Sequence, residues 1–276
     1  MILQIPTGFL VIPRLTATQS NRCTCRHPNS TTTRTTASKV HSGISSNMLW
    51  ADLRAAIGQR LNCEGIISSA KVIVKDHNQA IPHLTVPDIR WINWPELRRR
   101  GFHGVVFDKD NTLTLPYSLT LWAPLKPSLE RCKAEFGDDN VAVFSNTAGL
   151  YEFDGDGSKA RELEREIGIK VIRHKVKKPA GNAEEIEKHF GCPASMLVMV
   201  GDRHFTDVVY GNRNGFLTVL TQPLSVRGEP VVVRLVRKFE SALVNRWSKK
   251  GLKPIGHSLL GDRHPDLVND RPGTQL

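Results

Sequence analysis

The chain has 276 residues, of which 39% are hydrophobic and 24% are charged, a composition that suits one sizeable globular core with appendages. It contains no run of about 18 uninterrupted apolar residues, which excludes a transmembrane helix. The formal net charge of +11 favours partners that carry negative charge, such as nucleic acid, anionic lipid or phosphorylated substrates.

Residues 1–50 have the composition of an organelle transit peptide. They contain no acidic residue, since the first one is Asp52, and they are rich in serine and threonine. Their basic residues are Arg14, Arg22, Arg26, Arg34 and Lys39. Segments of this kind are typical of transit peptides that are removed from the mature protein. Hydroxyl residues outnumber arginines, which favours the chloroplast, with dual targeting to the mitochondrion as an alternative. An ordinary disordered tail is the other interpretation.

Residues 51–100 are interpreted as a lead-in segment, and a repeating pattern begins at residue 101. From there to residue 225, short apolar and β-branched runs alternate with helical patterns. The runs predicted as strands lie at 104–108, 141–145, 170–173, 197–202 and 216–221. Strands separated by helices of this length indicate βαβ units. We therefore predict an α/β fold with a parallel sheet, in a catalytic domain over 101–225.

Polar side chains follow four of the predicted strands. Asp108 and Asp110 come at the end of the first strand. Ser145 ends the second strand, Lys178 comes shortly after the third, and Asp202 ends the fourth. Ligands gather at the carboxyl ends of parallel strands. Three carboxylates, a hydroxyl and a lysine are therefore expected to converge at one edge of the sheet.

This set of residues fits phosphoryl transfer. Clustered carboxylates with no neutralising arginine favour a hard divalent cation, and beside a phosphate Mg²⁺ is expected. An aspartate can form an aspartyl-phosphate intermediate, so Asp108 is interpreted as the nucleophile. Period-two geometry places Asp110 on the same side and turns Lys109 away, so that Asp110 can protonate the leaving oxygen and then activate water. Ser145 and Lys178 would hold the transferring phosphoryl oxygens.

Four motifs follow one another in chain order: DKDNT at 108–112, Ser145, Lys178 and GDRHFTD at 201–207. In this order they resemble the haloacid dehalogenase superfamily of aspartyl phosphatases. The resemblance implies a three-layer, Rossmann-like fold with a central parallel sheet, and a magnesium site. The expected metal-binding residues are Asp108, Asp110, Asp202 and Asp207. The residues expected to bind the substrate phosphate are Thr112, Ser145, Asn146 and Lys178.

The sequence around these motifs resembles one family within this superfamily. FDKDNTLTLPY, VFSNTAG, RHKVKKPAGN and VGDRHFTDVVYGN resemble the organellar phosphatidylglycerophosphate phosphatases. This implies dephosphorylation of phosphatidylglycerophosphate to phosphatidylglycerol, the last step of phosphatidylglycerol synthesis, at the periphery of an inner organelle membrane. Two rival functions are a phosphatase of nucleic-acid ends or phosphoproteins, and a catalytically dead scaffold that binds lipid. No stretch of interleaved aromatic and basic residues flanks the motifs, so no nucleic-acid partner is expected.

The spacing of the motifs predicts an open site. One helix, loops and a strand fill the interval between Thr112 and Ser145, and again that between Ser145 and Lys178. Neither interval has room for a large, separate cap domain. An open site suits a substrate too large to be enclosed, such as a lipid headgroup at a membrane. Closure of the site by a partner is the alternative.

Residues 226–276 are predicted as a basic amphipathic helix and a tail. The apolar residues that recur at helical spacing are Val232, Leu235, Val236, Phe239, Leu243 and Trp247. The basic residues among them are Arg234, Arg237, Lys238, Arg246, Lys249 and Lys250. A basic amphipathic helix with a tryptophan near one end is typical of an anchor in peripheral contact with an anionic membrane. A helix that packs on the sheet with a solvated basic face fits the pattern equally well.

Overall fold

The computed structural model describes residues 71–261 and 265–269. The predicted transit peptide lies outside the described residues, and so does the first part of the predicted lead-in segment, residues 51–70. Across the part of the chain that is described, no helix combines the length and the apolar character needed to cross a bilayer.

A six-stranded, all-parallel sheet lies at the centre of the described residues. Its strands are β1 (Leu84–Val86), β2 (Gly104–Phe107), β3 (Val141–Val143), β4 (Lys170–Val171), β5 (Leu197–Gly201) and β6 (Leu217–Thr221). Their spatial order is β1-β6-β5-β2-β3-β4. The five strands predicted from the sequence are confirmed, although most of them end earlier than predicted. As a result, the polar residues after β2, β3 and β5 stand just beyond the sheet.

The strand β1 was not predicted. It pairs in parallel with β6 and lies inside the segment interpreted as a lead-in. Its three residues are too few for a period-two pattern, and the prolines at Pro82 and Pro87 favour a loop. The sheet therefore extends beyond the 101–225 limits predicted for the catalytic domain.

Helices cover both faces of the sheet. Side chains alternate along a strand, so Val105 and Phe107 join one apolar cluster while Val106 joins another. The first cluster also contains residues of α1 (Trp94–Arg99), α2 (Lys126–Phe136) and α3 (Ser158–Ile167). The second contains residues of α4 (Glu184–Phe190) and α5 (Val209–Asn214). The predicted three-layer α/β fold is confirmed.

The connections between strands are short. Within the described residues, the segment between β2 and β3 holds α2, and the segment between β3 and β4 holds α3, each with loops and short turns. Neither described segment contains a separate cap domain, which agrees with the predicted absence of a large cap.

The C-terminal helix α6 (Val231–Lys249) makes its apolar contacts with the domain through its second half. Val244 and Trp247 are buried in a third apolar cluster that includes Phe205 and Val209. The Trp247 ring stacks on Phe205 with the ring centroids 6.3 Å apart, and only 7% of the residue is exposed. Trp247 is therefore a core residue, so the interpretation that placed it on the membrane-facing side is wrong.

Candidate active site

The predicted site residues lie at the carboxyl edge of the sheet. Asp108 directly follows β2, Asp202 directly follows β5, and Ser145 comes two residues after β3. β2 lies between β5 and β3 in the sheet, so the ends of these strands adjoin. The edge therefore gathers the motifs of three segments that are far apart in the sequence.

Three carboxylates converge at this edge. Asp108, Asp202 and Asp207 each place a carboxylate oxygen within 4.8 Å of the others. Asp207 comes from a π-helical turn (His204–Val208) that follows β5. It sits so close to Gly201 that a Cβ atom at Gly201 would overlap its carboxylate, so this position requires glycine.

The residues of this cluster fit a hard divalent cation. Their donors are all carboxylate oxygens, which Mg²⁺ prefers. In addition, Oδ2 of Asp202 is buried and accepts no hydrogen bond within the described chain. The guanidinium of Arg237 lies 2.7 Å from this oxygen and compensates its charge, but without hydrogen-bond geometry, so the acceptor position stays open.

A buried lysine connects two of the carboxylates. Nζ of Lys178 donates hydrogen bonds to Oδ1 of Asp108 at 2.8 Å and to Oδ1 of Asp207 at 2.7 Å. Burial by itself lowers the pKa of Lys178, but the charges of Asp108 and Asp207 outweigh it and raise that pKa overall. The lysine is therefore a fixed positive charge in the site.

Asn146 positions Lys178. Its Oδ1 accepts a hydrogen bond from the backbone N–H of Lys178 at 2.8 Å, and its Nδ2 donates to the backbone carbonyl of Lys178 at 3.1 Å. Both ends of the amide are thus bonded to the lysine backbone. The direct contact with phosphate expected of Asn146 stays a prediction.

The carboxylate of Asp110 makes its hydrogen bonds outside the cluster of Asp108, Asp202 and Asp207. Its Oδ1 accepts hydrogen bonds from Nζ of Lys109 at 2.6 Å and from the backbone N–H of Tyr117 at 2.8 Å. Its Oδ2 accepts a long hydrogen bond of 3.5 Å from Thr147. Burial raises the pKa of Asp110, and the charge of Lys109 opposes this. Asp110 is thus suited to hold a proton, while its expected role as a metal ligand stays a prediction.

Lys109 does not turn away from the site as expected. It is buried, and its ammonium lies between Asp110 and the backbone carbonyl of Ser118, to which it donates at 2.8 Å. The strand β2 ends at Phe107, so the chain is already turning at Lys109 and side chains no longer alternate with a period of two.

The expected hydroxyl groups are buried. Oγ of Ser145 lies 3.1 Å from Oγ1 of Thr147, and Nε2 of His174 lies 2.8 Å from the carbonyl oxygen of Ser145. Oγ1 of Thr112 is buried and has no hydrogen-bond partner within the described chain. Phosphate binding by Ser145 and Thr112 stays a prediction.

An arginine from α6 reaches the cluster, so the expectation that no arginine neutralises the carboxylates is wrong. Nη1 of Arg237 lies 2.7 Å from Oδ2 of Asp202, as an ion pair without hydrogen-bond geometry. The same nitrogen donates to the backbone carbonyl of Asp202 at 3.0 Å. Nη2 of Arg237 donates to Oε1 of Glu229 at 2.6 Å.

A second arginine ties α6 to the loop after β5. Nε of Arg203 donates to Oε2 of Glu240 at 3.1 Å, and its Nη2 also pairs with that carboxylate. Sequence reasoning missed the contacts of Arg237 with Asp202 and of Arg203 with Glu240 because these pairs lie 35 and 37 positions apart in the sequence. One signal was available: Glu229 and Glu240 are the only acidic residues between positions 208 and 261. Isolated acids in a basic segment indicate specific ion pairs.

The electrostatics of the cluster favour cation binding. Burial raises the pKa of Asp202 to about 8, with Arg237 opposing and the charges of Asp207 and Asp108 adding to the rise. Burial likewise raises the pKa of Asp207 to about 6, with Lys178 opposing. A divalent cation would reverse these shifts, because it favours the charged carboxylates.

The chain matches a known family. A family model described as mitochondrial PGP phosphatase matches residues 63–225. A phosphatidylglycerophosphate phosphatase 1, chloroplastic/mitochondrial, of Arabidopsis thaliana is 67% identical over 219 residues, which cover 79% of this chain and 63% of that protein. A phosphatidylglycerophosphate phosphatase 1, chloroplastic, of Chlamydomonas reinhardtii is 43% identical over 87% of each chain. A mitochondrial phosphatidylglycerophosphatase of Saccharomyces cerevisiae is 30% identical over 67% of this chain and 98% of its own length.

Proposed function

This chain belongs to the mitochondrial PGP phosphatase family, and on that premise we propose that it hydrolyses phosphatidylglycerophosphate to phosphatidylglycerol and inorganic phosphate. The observation that carries the proposal is the contact of Lys178 with both Asp108 and Asp207 at the carboxyl edge of the sheet. A nucleophile, a cation site and a fixed positive charge thereby share one location.

Asp108 and Asp110 would divide the chemistry between them. A carboxylate oxygen of Asp108 attacks the terminal phosphorus, and the bond from phosphorus to the glycerol oxygen breaks. Asp110 gives its proton to that leaving oxygen. Asp110 then takes a proton from water as the water attacks the aspartyl phosphate, which releases inorganic phosphate and restores Asp108. The raised pKa of Asp110 supports the first of these proton transfers.

Asp108, Asp202 and Asp207 would hold Mg²⁺, whose charge would stabilise the negative charge of the transferring phosphoryl group. Lys178 would bind a phosphoryl oxygen, since its ammonium is fixed and excluded from solvent. The hydroxyl of Ser145 stands at the end of the neighbouring strand β3, where it would bind a further oxygen. Asn146 supports Lys178 in this arrangement.

The substrate class follows from the relatives, all of which carry a phosphatidylglycerophosphatase name in the matches described above. A phospholipid substrate remains in a membrane, and the described segments between β2 and β4 contain no cap domain, so the protein would act on the lipid from the membrane surface. We place the protein in the chloroplast, with the mitochondrion as the alternative, peripheral to an inner membrane. The chloroplastic and mitochondrial names of the relatives support this location.

Phosphate release from a panel of substrates tests the proposal. Purified protein is given phosphatidylglycerophosphate in mixed micelles, a soluble aryl phosphate, and a 5′-phosphorylated oligonucleotide, each with Mg²⁺ and with a chelator. We expect the lipid to be hydrolysed with the highest kcat/KM, and only with Mg²⁺. A higher kcat/KM for the oligonucleotide would indicate that the substrate is a nucleic-acid end and not the lipid. Absence of turnover on all three substrates would indicate that the protein is a catalytically dead scaffold.

A further inference from the structure

The first half of α6 carries an exposed apolar stripe that the proposed chemistry does not use. Its members are Val231 (60% exposed), Val232 (40%), Leu235 (59%), Val236 (42%) and Phe239 (55%). We infer that this stripe docks the protein on a bilayer that contains anionic lipid. The inference deepens the proposed function, because it names the surface that would bring the site to a membrane-borne substrate.

The stripe follows from helical geometry. At about 100° per residue, Val231, Leu235 and Phe239 recur at intervals of four and fall on one side of the helix. Val232 and Val236 lie beside them. Glu240 and Val244, which are buried, fall on the opposite side from Leu235, whereas the buried Trp247 falls near Val236 at the edge of the stripe. The stripe thus faces away from the protein core, and contact with water is unfavourable for it.

The charges around the stripe select an anionic surface. Arg234 and Lys238 are exposed beside it, and Arg246 and Lys249 are exposed farther along the helix. The one acidic residue of α6, Glu240, is buried against Arg203. A helix with apolar and basic sides and no exposed acid is attracted to anionic lipid.

The same charges argue against a second copy of the chain as the partner. Two α6 helices that met along their stripes would bring Arg234 and Lys238 against the same residues of the other copy. No exposed acid on α6 is available to pair with them. Repulsion of like charges would oppose such a contact.

The stripe is held beside the active site. The side of α6 that faces the protein carries Arg237, which contacts Asp202 and Glu229. Glu229 in turn accepts a hydrogen bond of 2.6 Å from Asn111, in the turn that also contains Asp110. Tyr117, which is exposed and donates its backbone N–H to Asp110, offers a further apolar contact at the same edge. A bilayer on the stripe would therefore lie next to the catalytic edge.

Vesicle co-sedimentation of the full chain tests the inference, with phosphatidylcholine vesicles that contain or lack phosphatidylglycerol. The test variant is Leu235→Ser/Phe239→Ser. The matched control, Val74→Ser/Tyr151→Ser, removes one aliphatic and one aromatic side chain that are exposed elsewhere. We expect binding to phosphatidylglycerol vesicles to fall at least about tenfold in the test variant and to stay unchanged in the control. Hydrolysis of a soluble aryl phosphate should be the same in both.

A second variant, Arg234→Gln/Lys238→Gln, tests the charge requirement without removing apolar surface. It should weaken binding to phosphatidylglycerol vesicles and leave binding to pure phosphatidylcholine unchanged. Wild-type binding by both double variants would overturn the inference. So would light scattering that shows a wild-type dimer and a Leu235→Ser/Phe239→Ser monomer, because the stripe would then cover a second copy. Vesicle binding by a wild type that hydrolyses no phosphoester would instead refute the proposed function and leave the docking surface in place.

Discussion

The two sides of the active-site edge are built in different ways. On the strand side, Asp108, Lys178 and Asp207 stand within or near recognisable motifs, and their mutual contacts follow from the order of the strands. On the helix side, Arg237 and Glu240 belong to a C-terminal helix that has no catalytic motif. In the proposed mechanism the motifs supply the reacting groups, whereas a remote helix supplies part of the charge that balances them.

The comparison also predicts two kinds of mutational effect. Changes on the strand side should remove chemistry and leave the fold largely intact. Changes on the helix side should act through stability and through the position of Asp202, because Arg237 contacts its carboxylate and its backbone carbonyl.

The largest effect is expected for Asp108→Asn. This change keeps the shape of the side chain and removes the proposed nucleophile, so kcat on any phosphoester should fall by more than about a thousandfold. The thermal midpoint should change little, because Lys178 keeps its bond to Asp207. Steady-state phosphate release and circular dichroism on one preparation check both points. Turnover near that of the wild type would remove Asp108 from the mechanism.

Lys178→Met should rank next. It removes the fixed charge and leaves Asp108 and Asp207 without their shared donor, and we expect kcat/KM to fall by roughly a hundred- to a thousandfold. The neighbouring Lys177→Met is the matched control, since that lysine pairs with Glu152 away from the carboxylate cluster. Equal losses in the two variants would show that general charge, and not the contacts of Lys178, matters.

On the helix side, Arg237→Met should lower the free energy of unfolding by about 3 kcal/mol, because it leaves the buried Asp202 and Glu229 without their counter-charge. Arg234→Met changes an exposed arginine one turn earlier and should stay within about 0.5 kcal/mol of the wild type. Urea unfolding measures both. Equal stabilities would mean that Arg237 does not tie α6 to the site.

The smallest effect concerns pH and magnesium. In the folded, metal-free chain the pKa values of Asp207 and Asp202 are raised from 3.8 to about 6 and about 8. The folded chain therefore holds protons that the unfolded chain has released, so its stability falls as the pH rises through this window. Mg²⁺ should offset that loss.

We accordingly expect Mg²⁺ to raise the free energy of unfolding more at about pH 8 than at about pH 5, by roughly 1–2 kcal/mol. Thermal melts with Mg²⁺ or a chelator at both pH values measure the difference, and Asp202→Asn should reduce it. A stabilisation by Mg²⁺ that is independent of pH would contradict the assignment of these carboxylates as its ligands.

The sequence predicted the parts of the molecule in which local pattern decides structure. Five strands could be found because each is a short apolar, β-branched run and such runs alternate with helical patterns, and the order of the motifs placed Asp108, Asp202 and Lys178 at one edge. The strand β1 escaped because three residues between prolines carry no pattern, and its pairing with β6 depends on tertiary structure.

The orientations of side chains were harder to predict. Lys109 binds Asp110 because the strand ends before it, and a two-residue period cannot reveal that. Arg237 meets Asp202 across 35 positions, a contact that only the packing of α6 creates. The amphipathic pattern of α6 fits both a membrane-docking helix and a core helix. The first half of the helix carries the exposed stripe, whereas Trp247 in the second half packs in the core.

The central claim, that Asp108 carries the phosphoryl group during turnover, can be tested by trapping the intermediate. The protein is mixed with phosphatidylglycerophosphate and Mg²⁺, quenched in acid and treated with borohydride, which reduces an aspartyl phosphate to homoserine. Tandem mass spectrometry then locates the modified residue. We expect homoserine at position 108 of the wild type and at no position of Asp108→Asn. Modification at another aspartate, or rapid turnover with no trapped residue, would contradict the account.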